Sequence, residues 1–220
     1  MNDGPQSVTF ARKRAMRAAE SFKTAAQCIG PVRSDMCLFG LTRGQFSMID
    51  VIQYVLAEIG GGHVAIWTWA IAEYEVATLT ALMIRPDIHS ARLIVDQSAD
   101  KRNREIVEAW RNRWGEDQVR ILRNHAKLAR IWNDDWRVLV RGSFNLNFNP
   151  RCEQFDLDEG SPAFDLVAGI EETFPVLPRN YSSAECMAAG KLDQAFPAET
   201  LALFGNPGAA WAEGLRTWKR

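Results

Sequence analysis

His63-Val64-Ala65-Ile66-Trp67-Thr68-Trp69 is the stretch on which the fold turns. It is almost continuously apolar, which predicts a strand buried on both faces. The triple glycine Gly60-Gly61-Gly62 stands before it and closes a helix that opens at Ser47 and runs through Leu56 or Ile59. Ile49, Ile52, Val55, Leu56 and Ile59 share one face of that helix. Beyond the strand the pattern alternates. Residues 70–84 read as a helix stopped by Pro86, and Ala91-Arg92-Leu93-Ile94-Val95 as a second strand. Residues 100–114 read as a helix turning Ile106, Val107, Trp110 and Trp114 inward, and 118–122 as a third strand. Residues 128–131 and 137–140 form a hairpin about Asn133-Asp134-Asp135. Strands alternating with helices and ending in a hairpin predict the α/β class, a mixed β-sheet flanked by helices.

Working outward, Cys37-Leu38-Phe39-Gly40-Leu41 reads as a short strand and residues 8–27 as a basic amphipathic helix ended by Gly30-Pro31. Residues 1–45 are thus expected to form a basic helical extension before an α/β domain over 46–155. After Pro150 the pattern weakens, and five further prolines punctuate short helical segments. Residues 156–220 are expected to be an acidic, mostly helical appendage. No internal repeat is visible.

The chain has 220 residues, 47% of them hydrophobic and 24% charged. That composition excludes a mainly disordered chain. The longest apolar stretch, 64–84, is broken by Glu73, Tyr74 and Glu75, and no apolar segment follows the basic Arg12, Lys13, Arg14 and Arg17. Neither a membrane helix nor a secretory leader is expected. Cys28, Cys37, Cys152 and Cys186 lack the C-x-x-C spacing of a zinc site. Reduced thiols in the cytoplasm are expected, with no metal and no cofactor. A net charge of −1 hides an asymmetry. Residues 101–151 carry twelve basic and six acidic side chains, a net of +6, while 152–220 carry a net of −6. The basic block is a natural landing place for a polyanion; a solvated arginine-bearing helix face is the competing reading.

Inside that block lie residues suited to phosphoryl chemistry. His125 and Lys127, two apart on an extended segment, project to one side. Imidazole serves as nucleophile or general acid–base near neutral pH, and lysine offers a positive charge to a phosphoryl oxygen. Gly142-Ser143 at a strand end lets the backbone approach closely and offers a hydroxyl and an N–H. Asn145 offers an amide, and Glu153 could accept the second imidazole N–H and fix its tautomer. Arg123, Arg130, Arg141 and Gly142 are the expected substrate-binding positions. Trp67, Trp69, Trp110 and Trp114 are expected to pack rather than to stack on bases, and His63 and His89 to be structural. Trp132 and Trp136, flanking the hairpin turn, are open to either packing or substrate contact.

His125-x-Lys127 followed by Gly142-Ser143-Phe144-Asn145 resembles the phospholipase D superfamily, and most nearly its small bacterial nucleases with one such motif per chain. The resemblance covers residues 63–155 or so. It implies a phospholipase D-like sandwich in which strand–helix–strand–helix–strand leads into the H-x-K segment. It also implies a metal-independent phosphodiesterase, with a nuclease acting on DNA as the leading reading. One histidine would attack phosphorus to form a phosphohistidine; a second would protonate the leaving oxygen and then activate water. With one motif and no repeat, the resemblance implies a homodimer that pools two copies of His125, with Leu146 and Phe148 at the interface. Trp132 stands where the family carries an aspartate, and Asp134 and Asp135 follow it. A catalytically degenerate nucleic-acid-binding module and a phospholipid phosphodiesterase are the alternatives.

Overall fold

The computed structural model describes residues 14–18, 24–71, 75–144, 146 and 151–190. They fall within one compact unit, residues 12–190. Among the described residues, eight strands make a single mixed sheet. From one edge to the other they are β1 (Arg14–Ala18), β2 (Cys37–Thr42), β8 (Glu153–Glu159), β7 (Arg137–Gly142), β6 (Leu128–Trp132), β3 (Gly62–Thr68), β4 (Ile88–Asp96) and β5 (Val119–Leu122). β3, β4 and β5 are parallel. β6 runs against β3, and direction then alternates through β7, β8 and β2. The α/β class and the mixed sheet predicted from the sequence are both present.

The helices follow from local chemistry. α1 (Ala25–Ile29) is capped by Thr24. α2 (Met48–Ile59) starts in a reciprocal cap, in which the Ser47 hydroxyl accepts from the Asp50 N–H while the Asp50 carboxylate accepts from the Ser47 N–H at 2.7 Å. It stops at Gly60, whose φ of 81° suits a residue without Cβ. The buried face of α2 packs with Ile106, Val107 and Trp110 of α5 (Arg104–Trp114) against one face of the sheet. Trp110 is fully buried and donates its indole N–H to Ala91 O at 3.0 Å, so its one polar atom is satisfied. A second cluster covers the other face, where Ala65, Trp67, Ile94 and Leu122 meet Phe174 and Ala189. Those two belong to the end of α6 (Pro162–Thr173) and to α7 (Ser183–Ala189). β3 is therefore covered on both sides, as its unbroken apolar run requires.

The sequence expectation fails in four places. Residues 14–18 form a strand rather than part of a helix over 8–27; most of the rest of that span lies outside the described residues. Its conformation comes from a non-local partner, β2, with Arg14 opposite Cys37 and Ala18 opposite Leu41. Local periodicity does not contain such a partner. The α/β domain is not bounded at 46 and 155 either. β2 precedes the first boundary, β8 crosses the second, and the two pair with each other, Cys37 opposite Asp158. The segment after 156 is not an appendage as far as residue 190, because α6 and α7 seal the second face; residues 191–220 lie outside the described residues. Finally, helix α3 (Glu75–Met83) starts later than 70, and the helix expected over 100–114 is split into α4 (Gln97–Arg102) and α5. The break is Asn103, whose amide donates to Ile71 O at 2.9 Å and Ala99 O at 3.3 Å.

One buried ion pair ties α6 to the sheet. Arg130 Nε donates to Glu171 Oε1 at 3.0 Å, Arg130 Nη2 donates to Oε2, and Trp67 Nε1 donates to Oε1 at 2.8 Å. Among the described residues, no helix is long and apolar enough to cross a membrane.

Candidate active site

β3, β4 and β5 end at the same edge of the sheet where β6 and β8 begin and β7 ends. Open α/β sheets bind ligands at the carboxyl ends of their parallel strands. The turn from β5 to β6, residues 123–127, carries His125 and Lys127 to that edge.

Asn124 holds this turn in place. It is 5% exposed. Its backbone N–H donates to Asp96 Oδ2 at 3.1 Å, and its side-chain amide donates to Thr68 O at 3.1 Å and Ala126 O at 3.3 Å. Its Oδ1 accepts from the Ala126 N–H at 2.9 Å. The ends of β3 and β4 thereby fix the backbone on either side of His125.

His125 is exposed, and its ring lies against Trp69 with centroids 5.1 Å apart and planes at 50°. Lys127 Nζ is 3.2 Å from His125 Nδ1 and 3.5 Å from Nε2, and donates to the His125 carbonyl at 2.9 Å. The same ammonium is 5.7 Å from the Trp69 ring centroid. Burial pushes the Lys127 pKa down, and the Glu153 carboxylate partly opposes this. A positive charge that has shed part of its water acts more strongly on a phosphoryl oxygen. The structure thus brings the His125 and Lys127 side chains together on one side of the turn.

The Gly142-Ser143 step is arranged differently from the expectation. Gly142 N–H donates to Lys127 O at 3.1 Å, and Ser143 N–H donates to Gln154 O at 3.0 Å. Both N–H groups are used inside the sheet edge. A Cβ on Gly142 would lie 2.5 Å from Gln154 O and 3.0 Å from the Phe144 ring. The glycine admits β8, and it does not present an N–H to a substrate. The Ser143 hydroxyl donates to Glu153 Oε2 and accepts from the Gln154 N–H at 3.0 Å. Glu153, expected at the imidazole, has its described bond with Ser143. Asn145 lies outside the described residues.

The arginines divide. Arg130, 5% exposed, belongs to the Glu171 pair, with its guanidinium carbon 4.5 Å from the Trp132 centroid and 4.8 Å from that of Phe164. It is a structural residue and not a substrate-binding one. Arg141 pairs with Asp158 at 2.6 Å, Arg137 with Asp165 at 2.9 Å and Arg111 with Glu108 at 2.6 Å. Among the described residues, four of the block's twelve basic side chains are thus ion-paired within the fold, and three of these, Arg130, Arg137 and Arg141, meet carboxylates from the acidic C-terminal third. Arg123 stays exposed on the turn beside His125.

His63 and Trp132 sit at the opposite edge of the sheet. The His63 ring stacks on Trp132 at 5.3 Å and 21°, lies edge-on to His89 at 5.5 Å, and contacts Ser90 Oγ through Nδ1 at 2.7 Å. These contacts settle Trp132 as a packing residue. Trp136 likewise packs against the main core. Sequence reasoning missed Trp69, Asn124 and Asp96. Two cues were available: Trp69 stands one alternation beyond Trp67, where the strand runs out, and Asn124 immediately precedes the histidine.

The strand–helix–strand–helix–strand order leading to His125 is the one the sequence resemblance implies. No family model and no curated protein matches the chain. Among solved structures it is similar to NucT from Helicobacter pylori, with a TM-score of 0.42 and 13% identity over 62% of this chain and 94% of NucT. It is similar to the polyphosphate kinase of Porphyromonas gingivalis, with a TM-score of 0.45 and 13% identity over 66% of this chain and 27% of the kinase. It is also similar to phosphatidylserine synthase of Haemophilus influenzae Rd KW20, with a TM-score of 0.41 and 18% identity over 81% of this chain and 46% of the synthase. The chain thus spans about a quarter of the kinase and under half of the synthase.

Proposed function

We propose that this chain is a metal-independent phosphodiesterase of the phospholipase D type, a nuclease hydrolysing DNA, with His125 as its nucleophile. The observation that carries this reading is the His125–Lys127 pair. Nucleophile and phosphoryl-binding charge stand 3.2 Å apart at the ligand-binding edge of the sheet, on a turn held by buried Asn124. A ring nitrogen bearing its lone pair attacks phosphorus. An N–P bond forms as the P–O bond to the leaving group breaks, and an acid protonates the leaving oxygen. Water then gives its proton to that same group and attacks phosphorus, and the N–P bond returns its electrons to the ring. Lys127 offsets the charge on the non-bridging oxygens. The Ser143–Glu153 pair lies at the same edge and keeps a carboxylate near Lys127. None of these steps uses a metal, so hydrolysis of DNA and of bis-p-nitrophenyl phosphate should persist in excess EDTA. Activity lost in EDTA and restored by Mg²⁺ overturns the reading.

The acid in this mechanism is a second imidazole. The chain has three histidines, and His63 and His89 lie at the far edge. A second copy supplies the group if a two-fold axis brings two His125 side chains together. Leu146 is 1% exposed within its own subunit, so it is not available to that interface as the sequence led us to expect; Phe148 lies outside the described residues. Sedimentation should give a mass near twice 24.8 kDa. A fully active monomer rules the arrangement out.

The internal ion pairs also set the salt dependence. A +6 block free to track phosphates would lose affinity steeply with salt. With Arg123 and Lys127 as the cations on the site turn, the slope of log affinity against log salt should be about −2, roughly a tenfold loss over a fourfold rise in salt. A slope of about −5 or steeper would mean that basic residues beyond the site turn contact phosphates as well.

A further inference from the structure

We infer that Trp69 is a stacking platform for an unpaired base, which makes the substrate of this site single-stranded nucleic acid. The inference takes the site for phosphate from the phosphodiesterase reading and adds the group that holds the flanking nucleoside.

Trp67 and Trp69 show what is unusual. They stand two apart in sequence, one near the end of β3 and one just beyond it. Trp67 is buried, and its N–H is taken by Glu171. Trp69, just past the strand end, keeps 38% of its surface in water. An indole is a large apolar surface that folding ordinarily hides. Here it is turned outward beside the two chemical groups of the site, 5.1 Å from the His125 ring and 5.7 Å from Lys127 Nζ. A base laid on that indole carries its phosphate toward the His125–Lys127 pair through a single sugar.

Two further observations select the substrate class. In a duplex each base already has neighbours on both faces, so an indole can take a base only where the strand is unpaired. On the two strands that follow the site turn, Arg130, Arg137 and Arg141 are held by carboxylates, so beside His125 a stacked base adds hold that Arg123 and Lys127 alone would have to supply. A phospholipid would bring the same phosphate chemistry, but its chains need an apolar floor. The His125 ring contacts Trp69 and Lys127, and exposed Arg123 stands on the same turn, so a single indole is the apolar surface there.

The test uses two diesters with the same leaving group. Thymidine 5′-(p-nitrophenyl phosphate) carries a base beside the phosphate, and methyl p-nitrophenyl phosphate does not. Wild type should favour the nucleoside ester in kcat/KM by roughly tenfold, the size of one base stacked on an aromatic ring. Trp69→Leu should bring the ratio to near one, and Trp69→Phe should keep most of it. A ratio unchanged in Trp69→Leu overturns the inference. Binding supplies a readout that does not need turnover. A fluorescent single-stranded oligonucleotide, the matching duplex and vesicles of anionic phospholipid are titrated with His125→Ala, with and without Trp69→Leu. Single strand should bind best and lose roughly tenfold with Trp69→Leu. If wild type hydrolyses neither ester but Trp69-dependent single-strand binding is present, the phosphodiesterase reading fails and the stacking site stands. Single-strand affinity indifferent to Trp69, or tighter binding to duplex or vesicles, overturns the stacking site. Thermal midpoints check that each variant is folded.

Discussion

Replacing His125 with alanine should abolish turnover of every phosphodiester the wild type hydrolyses. The proposed covalent nucleophile would have no substitute within reach, because the other two histidines of the chain lie at the opposite edge of the sheet. The loss should exceed that of Lys127→Ala, which removes one charge-stabilising contact and should cost about 10²–10³ in kcat. His63→Ala and His89→Ala should retain turnover, which separates a missing nucleophile from a generic loss of imidazole. The same variant tests the pooled site. Mixing His125→Ala chains with wild type should lower activity faster than the wild-type fraction falls, since each mixed pair lacks one of its two imidazoles. Near wild-type rates in a purified His125→Ala preparation would falsify the site assignment.

The largest loss of stability should come from Glu171→Ala. The carboxylate is wholly buried and receives Arg130 and the Trp67 indole, with Arg92 3.8 Å away. Removing it leaves a guanidinium that is 5% exposed without its counter-charge and a buried indole N–H without its acceptor. Breaking a buried pair from one side costs about 3–5 kcal/mol, against a total stability of about 5–15 kcal/mol for an ordinary domain. Urea denaturation should show that loss for Glu171→Ala and a smaller one for Glu171→Gln, which keeps an acceptor. Replacing both partners together, Arg130→Met with Glu171→Leu, should recover part of it, since no charge is then stranded. A change under about 1 kcal/mol in Glu171→Ala would show that the pair behaves as an exposed one.

Parts of the fold that depend on neighbours in sequence were legible. The Ser47 cap, the glycine stop after α2, the Asn133 turn and the alternation from β3 through β7 all rest on residues within a few positions of one another. What was illegible depends on partners far away. Arg14–Ala18 is a strand because β2 lies beside it, and nothing among its own residues separates that from a basic helix face. Arg130 counted toward a phosphate-binding surface because its partner, Glu171, comes 41 residues later on another element. At the candidate site, residue types point to His125 and Lys127, but the use of the Gly142 and Ser143 N–H groups within the sheet shows only when β6 and β8 are in place. Trp69 was read as core because its spacing from Trp67 is that of a buried strand; the strand simply ends one residue too soon to bury it.

The pairing of β2 with β8 orders events during synthesis. Cys37 is translated before β3 through β7, and the residue it pairs with, Asp158, only after them. At roughly 5–20 residues per second the partner follows about 6–24 s behind. Throughout that interval β2 has one lateral side without its ladder, and the apolar surface destined for β8 is open to other chains. The protein should therefore be most vulnerable to aggregation as a nascent polypeptide, and slower decoding upstream of residue 153 should lower soluble yield without altering the stability of the molecules that finish.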